Sequence, residues 1–126
     1  MEPVIVHTKA APEPVGPYSQ ALKVRDIIYC AGQIPLDPLT GQLTGSTISE
    51  QTERCLLNLS EVLKAAGSSL DKVVKTTVFL KELADFPEMD ETYAKFFARK
   101  FPARTTIEVH RLPRDALIEI EAVAVV

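Results

Sequence analysis

Apolar residues recur along this chain with two periods, and each change of period marks the boundary of an element. Val4 to His7 is a short opening run that predicts a strand. Ala21 to Val24 and Ile27 to Ala31 flank the two-residue connection Arg25-Asp26, which predicts a hairpin, with Gly32 expected to end the second strand. Between the first strand and this hairpin, Pro12, Pro14, Gly16 and Pro17 impose an irregular loop with restricted dihedrals. Pro35 to Gly41 carries turn residues throughout and is expected to be surface loop.

The period then lengthens. Ile48, Thr52, Cys55, Leu56, Leu59, Val62, Leu63 and Ala66 fall at helical spacing and define one buried face of a helix over 47–66. Thr47 and Glu50 are spaced as a capping box, and Gly67 suits the left-handed stop position. Val73 to Leu80 is a β-branched strand with apolar residues on both faces. A second helix is expected from Asp85, with Glu88 as its capping partner and Pro87 in its first turn. Phe86, Met89, Tyr93, Phe96 and Phe97 give that helix an aromatic stripe, a pattern that belongs to a core far more often than to a cofactor site. Arg104 to Val109 and Leu117 to Val125 read as closing strands joined by a turn around Pro113. Two helices of this length cover one face of one sheet, which predicts a two-layer α+β domain spanning residues 1–126. The opposite face, with Thr77, Phe79 and Val123, is too apolar to stay wet and predicts sheet-to-sheet oligomerisation.

Composition narrows the function classes. Hydrophobic residues make up 46% of the 126 positions and charged residues 25%, as in ordinary globular proteins. No apolar run is long enough for a membrane span and no signal-peptide core is evident, so a cytosolic location is expected. The net charge is −3 and basic residues are scattered among carboxylates, which argues against a nucleic-acid partner. Cys30 and Cys55 lie inside apolar patterns and are expected to be buried free thiols. With His7 and His110 they offer no metal-ligand spacing.

Three features carry candidate chemistry. Arg104 follows Phe101-Pro102-Ala103 at the start of a strand, where a positioned guanidinium can grip a carboxylate through paired hydrogen bonds; the alternative is an ordinary strand-edge arginine. Glu119 and Glu121 lie two apart in an otherwise apolar strand and share a sheet face. They serve either as a general acid/base or as partners of lysine or arginine across the sheet, and the residues alone favour the pairing. Gly16-Pro17-Tyr18-Ser19-Gln20 either walls a pocket with Tyr18 or tethers a loop.

The segments Gly16-Pro17-Tyr18-Ser19-Gln20-Ala21, Ala31-Gly32-Gln33-Ile34-Pro35, Val74 to Leu80, Phe101-Pro102-Ala103-Arg104 and Ile118 to Ala124 together resemble the Rid (YjgF) family, and most closely its RidA subgroup. That resemblance implies a chorismate-mutase-like fold, a mixed sheet with both helices on one face, assembled as a homotrimer with sites between subunits. It implies hydrolysis of 2-imino and enamine acids, such as 2-iminobutanoate and 2-iminopropanoate released by pyridoxal-phosphate enzymes, to 2-keto acids and ammonia. No metal or organic cofactor is expected. By the same resemblance Arg104 holds the substrate carboxylate, Glu119 orients water or moves its proton, Tyr18 closes the pocket and the Gly32 backbone lies along it. The chain departs from the family at three of its positions. Ala31 replaces a frequent serine, Thr106 replaces a frequent cysteine while keeping a hydroxyl for the ligand, and Asp90 replaces a frequent asparagine, adding a negative charge to the cleft. An RNA-acting protein and a non-catalytic ligand-binding trimer are the competing readings.

Overall fold

Strict alternation in the last strand organises the sheet. From Ile118 to Val125 every second side chain (Ile118, Ile120, Ala122, Ala124) is buried, and the intervening ones reach the opposite face. The computed structural model describes residues 2–97 and 99–126. Its elements are β1 (Val4–Val6), β2 (Ala21–Val24), β3 (Ile27–Gln33), α1 (Ile48–Ala65), β4 (Val73–Leu80), α2 (Phe86–Phe96), β5 (Ala103–Glu108) and β6 (Ile118–Val125). The strands form one sheet in the order β1-β2-β3-β6-β4-β5. All neighbours are antiparallel except β4 and β5, which α2 connects as a parallel crossover. The C-terminal strand β6 thus inserts between β3 and β4 and closes the sheet.

Both helices lie on the face that carries the buried alternation. Cys55, Leu56, Leu59, Val62 and Leu63 of α1 meet Ile28, Val78, Leu80, Ile118 and Ile120 in one core, to which α2 adds Met89 and Tyr93. Alanine at positions 122 and 124 gives the sheet little side-chain bulk beneath the helix layer. This is the mixed two-layer sheet of the chorismate-mutase-like fold.

The capping box of α1 forms as its spacing requires. Thr47 Oγ1 accepts from the Glu50 amide at 3.2 Å, and Glu50 Oε1 accepts from the Thr47 amide at 3.2 Å. Gly67 takes φ +83° just past the helix. The expected cap of α2 does not form. A 3-10 turn over Leu83–Asp85 runs straight into the helix and holds Asp85 at φ −78°, ψ −2°, so its carboxylate makes no capping bond. A capping side chain needs an extended backbone to reach forward, and Asp85 lacks it.

Gly32 does not end β3. Cys30 pairs with Ala122 and Gln33 with Ile120, so Ala31 and Gly32 together span the single β6 position Glu121. That two-against-one spacing is a β-bulge, and the strand resumes beyond it. Among the described residues no helix is long and apolar enough to cross a membrane. Both cysteines are buried free thiols. Burial pushes the Cys30 thiol up to about 12; it also raises Cys55 well above the usual range, to which the Glu119 charge adds and which the Arg54 charge opposes.

Candidate functional site

The bulge places a backbone without a side chain directly beside a carboxylate. A Cβ built on Gly32 would collide with the Glu119 side chain, so only glycine lets β3 approach Glu119 this closely. Glu119 is half-buried, and burial raises its pKa, with the like charge of Glu121 two residues along adding to the rise. Neither Glu119 nor Glu121 finds a lysine or arginine partner among the described residues. The cross-sheet pairing favoured by the residue pattern is therefore not made: Glu119 stands opposite Phe79, and Glu121 opposite Thr77.

Glu119 and Gly32 line a cavity of about 570 Å³ whose other walls include Tyr18, Gln20, Ile34 and Arg114. Tyr18 sits on the proline-rich loop, half exposed, its amide donating to Gly16 O at 3.0 Å. The buried Gln20 fastens that loop: its Oε1 accepts from the Thr8 amide at 2.8 Å, and its Nε2 donates to Pro12 O at 2.9 Å and Thr8 O at 3.0 Å. The opposite wall is fastened from α1. Asn58 Nδ2 donates to Leu36 O at 3.0 Å, and Gln51 binds Gly45 O at 3.0 Å and the Leu117 amide at 2.8 Å. Sequence reasoning assigned no role to these three amides. Their one signal was polar residues on, or beside, an otherwise apolar helical face or loop. Arg114, also overlooked, holds φ +60° in the turn after Pro113 and donates from Nη1 to Gly41 O at 3.2 Å.

Arg104 lies elsewhere. It pairs in register with Thr76 on the helix-covered face, whereas Glu119 shares the opposite face with Phe79 and Ile107. One chain therefore does not bring Arg104 and Glu119 together. Arg104 lines a second hollow of about 470 Å³ with Asp90, Tyr93, Ala94, Phe101 and Pro102. Its guanidinium carbon lies 4.8 Å from the Tyr93 ring centre and 5.2 Å from that of Phe86. Tyr93 is itself fixed by a 2.7 Å hydrogen bond with Thr76 Oγ1. Phe86, Asp90 and Tyr93 are four and three residues apart, so α2 presents them as one stripe. The aromatic stripe is core, as Met89, Tyr93 and Phe97 show, yet two of its rings also form the platform for Arg104.

Asp90 Oδ1 stands 2.8 Å from Arg104 Nη1. The contact is a close ion pair that buries this oxygen. Thr106 is two residues beyond Arg104 on the same face of β5; its Oγ1 is buried with no partner among the described residues, and it lines neither hollow.

The family model described as Endoribonuclease L-PSP matches residues 8–126. The chain belongs to the Rid (YjgF/RutC) family. It is 52% identical over 120 residues to a RutC family protein of Pyrococcus abyssi, covering 95% of this chain and 94% of that one. It is 46% identical over 121 residues to the 2-iminobutanoate/2-iminopropanoate deaminase of Homo sapiens, covering 96% of this chain and 88% of the human protein. Among solved structures, E. coli TdcF with bound serine superposes with a TM-score of 0.94 at 36% identity, each chain covered to 98%. In this Rid-family chain the six residues named by resemblance divide into two groups. Tyr18, Gly32 and Glu119 share one cavity, Asp90 and Arg104 share the other, and Thr106 lies beside the second group.

Proposed function

We propose that the protein hydrolyses reactive 2-imino acids and their enamine tautomers, 2-iminobutanoate and 2-iminopropanoate among them, to 2-keto acids and ammonia. The observation that carries this reading is the half-buried Glu119 carboxylate, its pKa raised and its charge unpaired, set against a glycine backbone in an open cavity. A carboxylate of raised pKa is a better proton acceptor for water than an ordinary exposed one. In the reaction Glu119 takes a proton from water as the oxygen bonds to the imine carbon, and a proton passes to the nitrogen. The resulting carbinolamine then loses ammonia as its C–N bond breaks and its hydroxyl proton leaves, giving the 2-keto acid.

The substrate carboxylate needs a cation, and Arg104 has donors free for it. Because Arg104 and Glu119 occupy opposite faces of one sheet, the complete site forms when a neighbouring copy sets its Arg104 hollow over the Glu119 cavity. A homotrimer, its contacts made by the apolar open face, satisfies this. Leu22, Ile27 and Tyr29 are exposed on that face of the single chain and are buried in such an assembly. Tyr18 closes the cavity and the Gly32 backbone borders the substrate, whereas the buried Thr106 hydroxyl lies outside both hollows. The serine held by the E. coli relative has the same arrangement of carboxylate and adjacent nitrogen.

The test is release of 2-ketobutanoate from iminobutanoate generated in situ, measured above the spontaneous rate. Arg104→Ala is expected to abolish saturation by substrate. Glu119→Gln is expected to lower the catalysed rate by roughly 10²–10⁴-fold, the usual worth of a general base. Full activity in either variant overturns its assigned role. The family description favours a second reading, an RNA-cleaving activity. The net charge of −3 and the carboxylates in both hollows oppose it. RNA binding that failed to weaken with added salt would exclude phosphate recognition.

A further inference from the structure

The Arg104–Asp90 pair has the charge pattern of a zwitterion reader. Arg104 offers a guanidinium whose plane is held by Phe86 and Tyr93 and whose N–H groups make no hydrogen bond among the described residues. Beside it, Asp90 spends its buried Oδ1 on Arg104 Nη1 at 2.8 Å, while the side chain as a whole stays 42% exposed and lines the same hollow. The exposed part of that carboxylate can accept from an arriving N–H, and a hydrogen bond to a charged acceptor is among the stronger kind. The remaining walls, Ala94, Phe101 and Pro102, offer no side-chain donor.

We propose that Asp90 is a specificity residue that accepts the N–H of the protonated imine while Arg104 holds the adjacent carboxylate, so that the site binds 2-imino acid in preference to 2-keto acid. The inference rests on the deaminase reading above and extends it to discrimination between substrate and product. In a 2-imino acid the nitrogen and the carboxylate sit on neighbouring carbons, as the two protein charges sit side by side. Once the C–N bond breaks, the donor is gone. The ketone oxygen then turns lone pairs towards the Asp90 carboxylate, and like-signed charge drives the product out. Asparagine at this position would present an amide N–H to the same ketone and lose the distinction.

Binding measured without turnover separates this inference from the catalytic one. Calorimetric titration of the assembled protein with L-2-aminobutanoate, a stable analogue carrying carboxylate and ammonium, is compared with titration by 2-ketobutanoate. The wild type is expected to favour the amino acid by about tenfold or more, the worth of one charge-assisted hydrogen bond. Asp90→Asn is expected to erase or invert that preference, and Asp90→Ala to erase it, with thermal melts confirming that both variants fold. Equal binding of the two ligands by the wild type, or an unchanged ratio in both variants, overturns the proposal. If Arg104→Ala binds both ligands as the wild type does, the site itself is elsewhere and the inference falls with it. An intact Asp90-dependent preference in a protein without imine hydrolysis would sink the deaminase reading alone.

Discussion

The two hollows are built by opposite means. Around Glu119 the work is done by backbone: a bulge in β3, a glycine that lets the strand touch the carboxylate, and loops fastened by Gln20, Asn58 and Gln51. Around Arg104 it is done by side chains on one helix stripe, with Phe86 and Tyr93 fixing the guanidinium and Asp90 setting the charge beside it. In the first, any bulk added at Gly32 falls on the Glu119 side chain itself and displaces the carboxylate. A side-chain platform tolerates change gradually, because each ring contributes only part of the hold.

Adding a single methyl group is the severest test of that difference. Gly32→Ala forces the Glu119 carboxylate to move, and a displacement near 1 Å is expected to cost about 100-fold in kcat. Single-turnover rates of the variant check this, and a near-normal rate would show that Glu119 is not held by close approach. On the other side, Tyr93→Leu removes one ring from under Arg104. The expected rise in KM is roughly two- to fivefold, the worth of one modest cation–π contact. Tyr93→Phe keeps the ring and should leave KM near the wild-type value; equal effects of the two substitutions would mean that the hydrogen bond to Thr76 matters rather than the ring.

The smallest effect is on stability. The folded state raises the Glu119 pKa, so its contribution is fully present at low pH and is lost as pH climbs through the raised value. Glu119→Gln is therefore expected to raise Tm at pH 8 and to leave it nearly unchanged at pH 3, where Glu119 is protonated in both states. Thermal melts at the two pH values check the sign. A variant less stable at pH 8 would show that the charge is favourably paired in the assembled protein.

Much of this was readable along the chain, because it depends on local periods and spacings. The Thr47/Glu50 cap, the α1 face and the alternation of β6 are set by neighbours within a few residues. The Asp85 cap misled because a preceding 3-10 turn, not the capping residue, governs its backbone. The bulge was hidden as well, since Ala31-Gly32 looks like an ordinary strand end until Cys30 and Gln33 are seen paired across β6.

What the sequence determined by itself, then, is the set of elements, the helix-covered core, and through its motifs the family and the six candidate residues. Register and face belonged to the tertiary structure. Whether Arg104 and Glu119 meet depends on the strands that β6 inserts between, and each strand's pairing partner is far away in the chain. The same applies to Asp90, whose proximity to Arg104 follows from packing α2 against β5. Alternation says that two residues face opposite ways on one strand; only the assembled sheet relates faces on different strands.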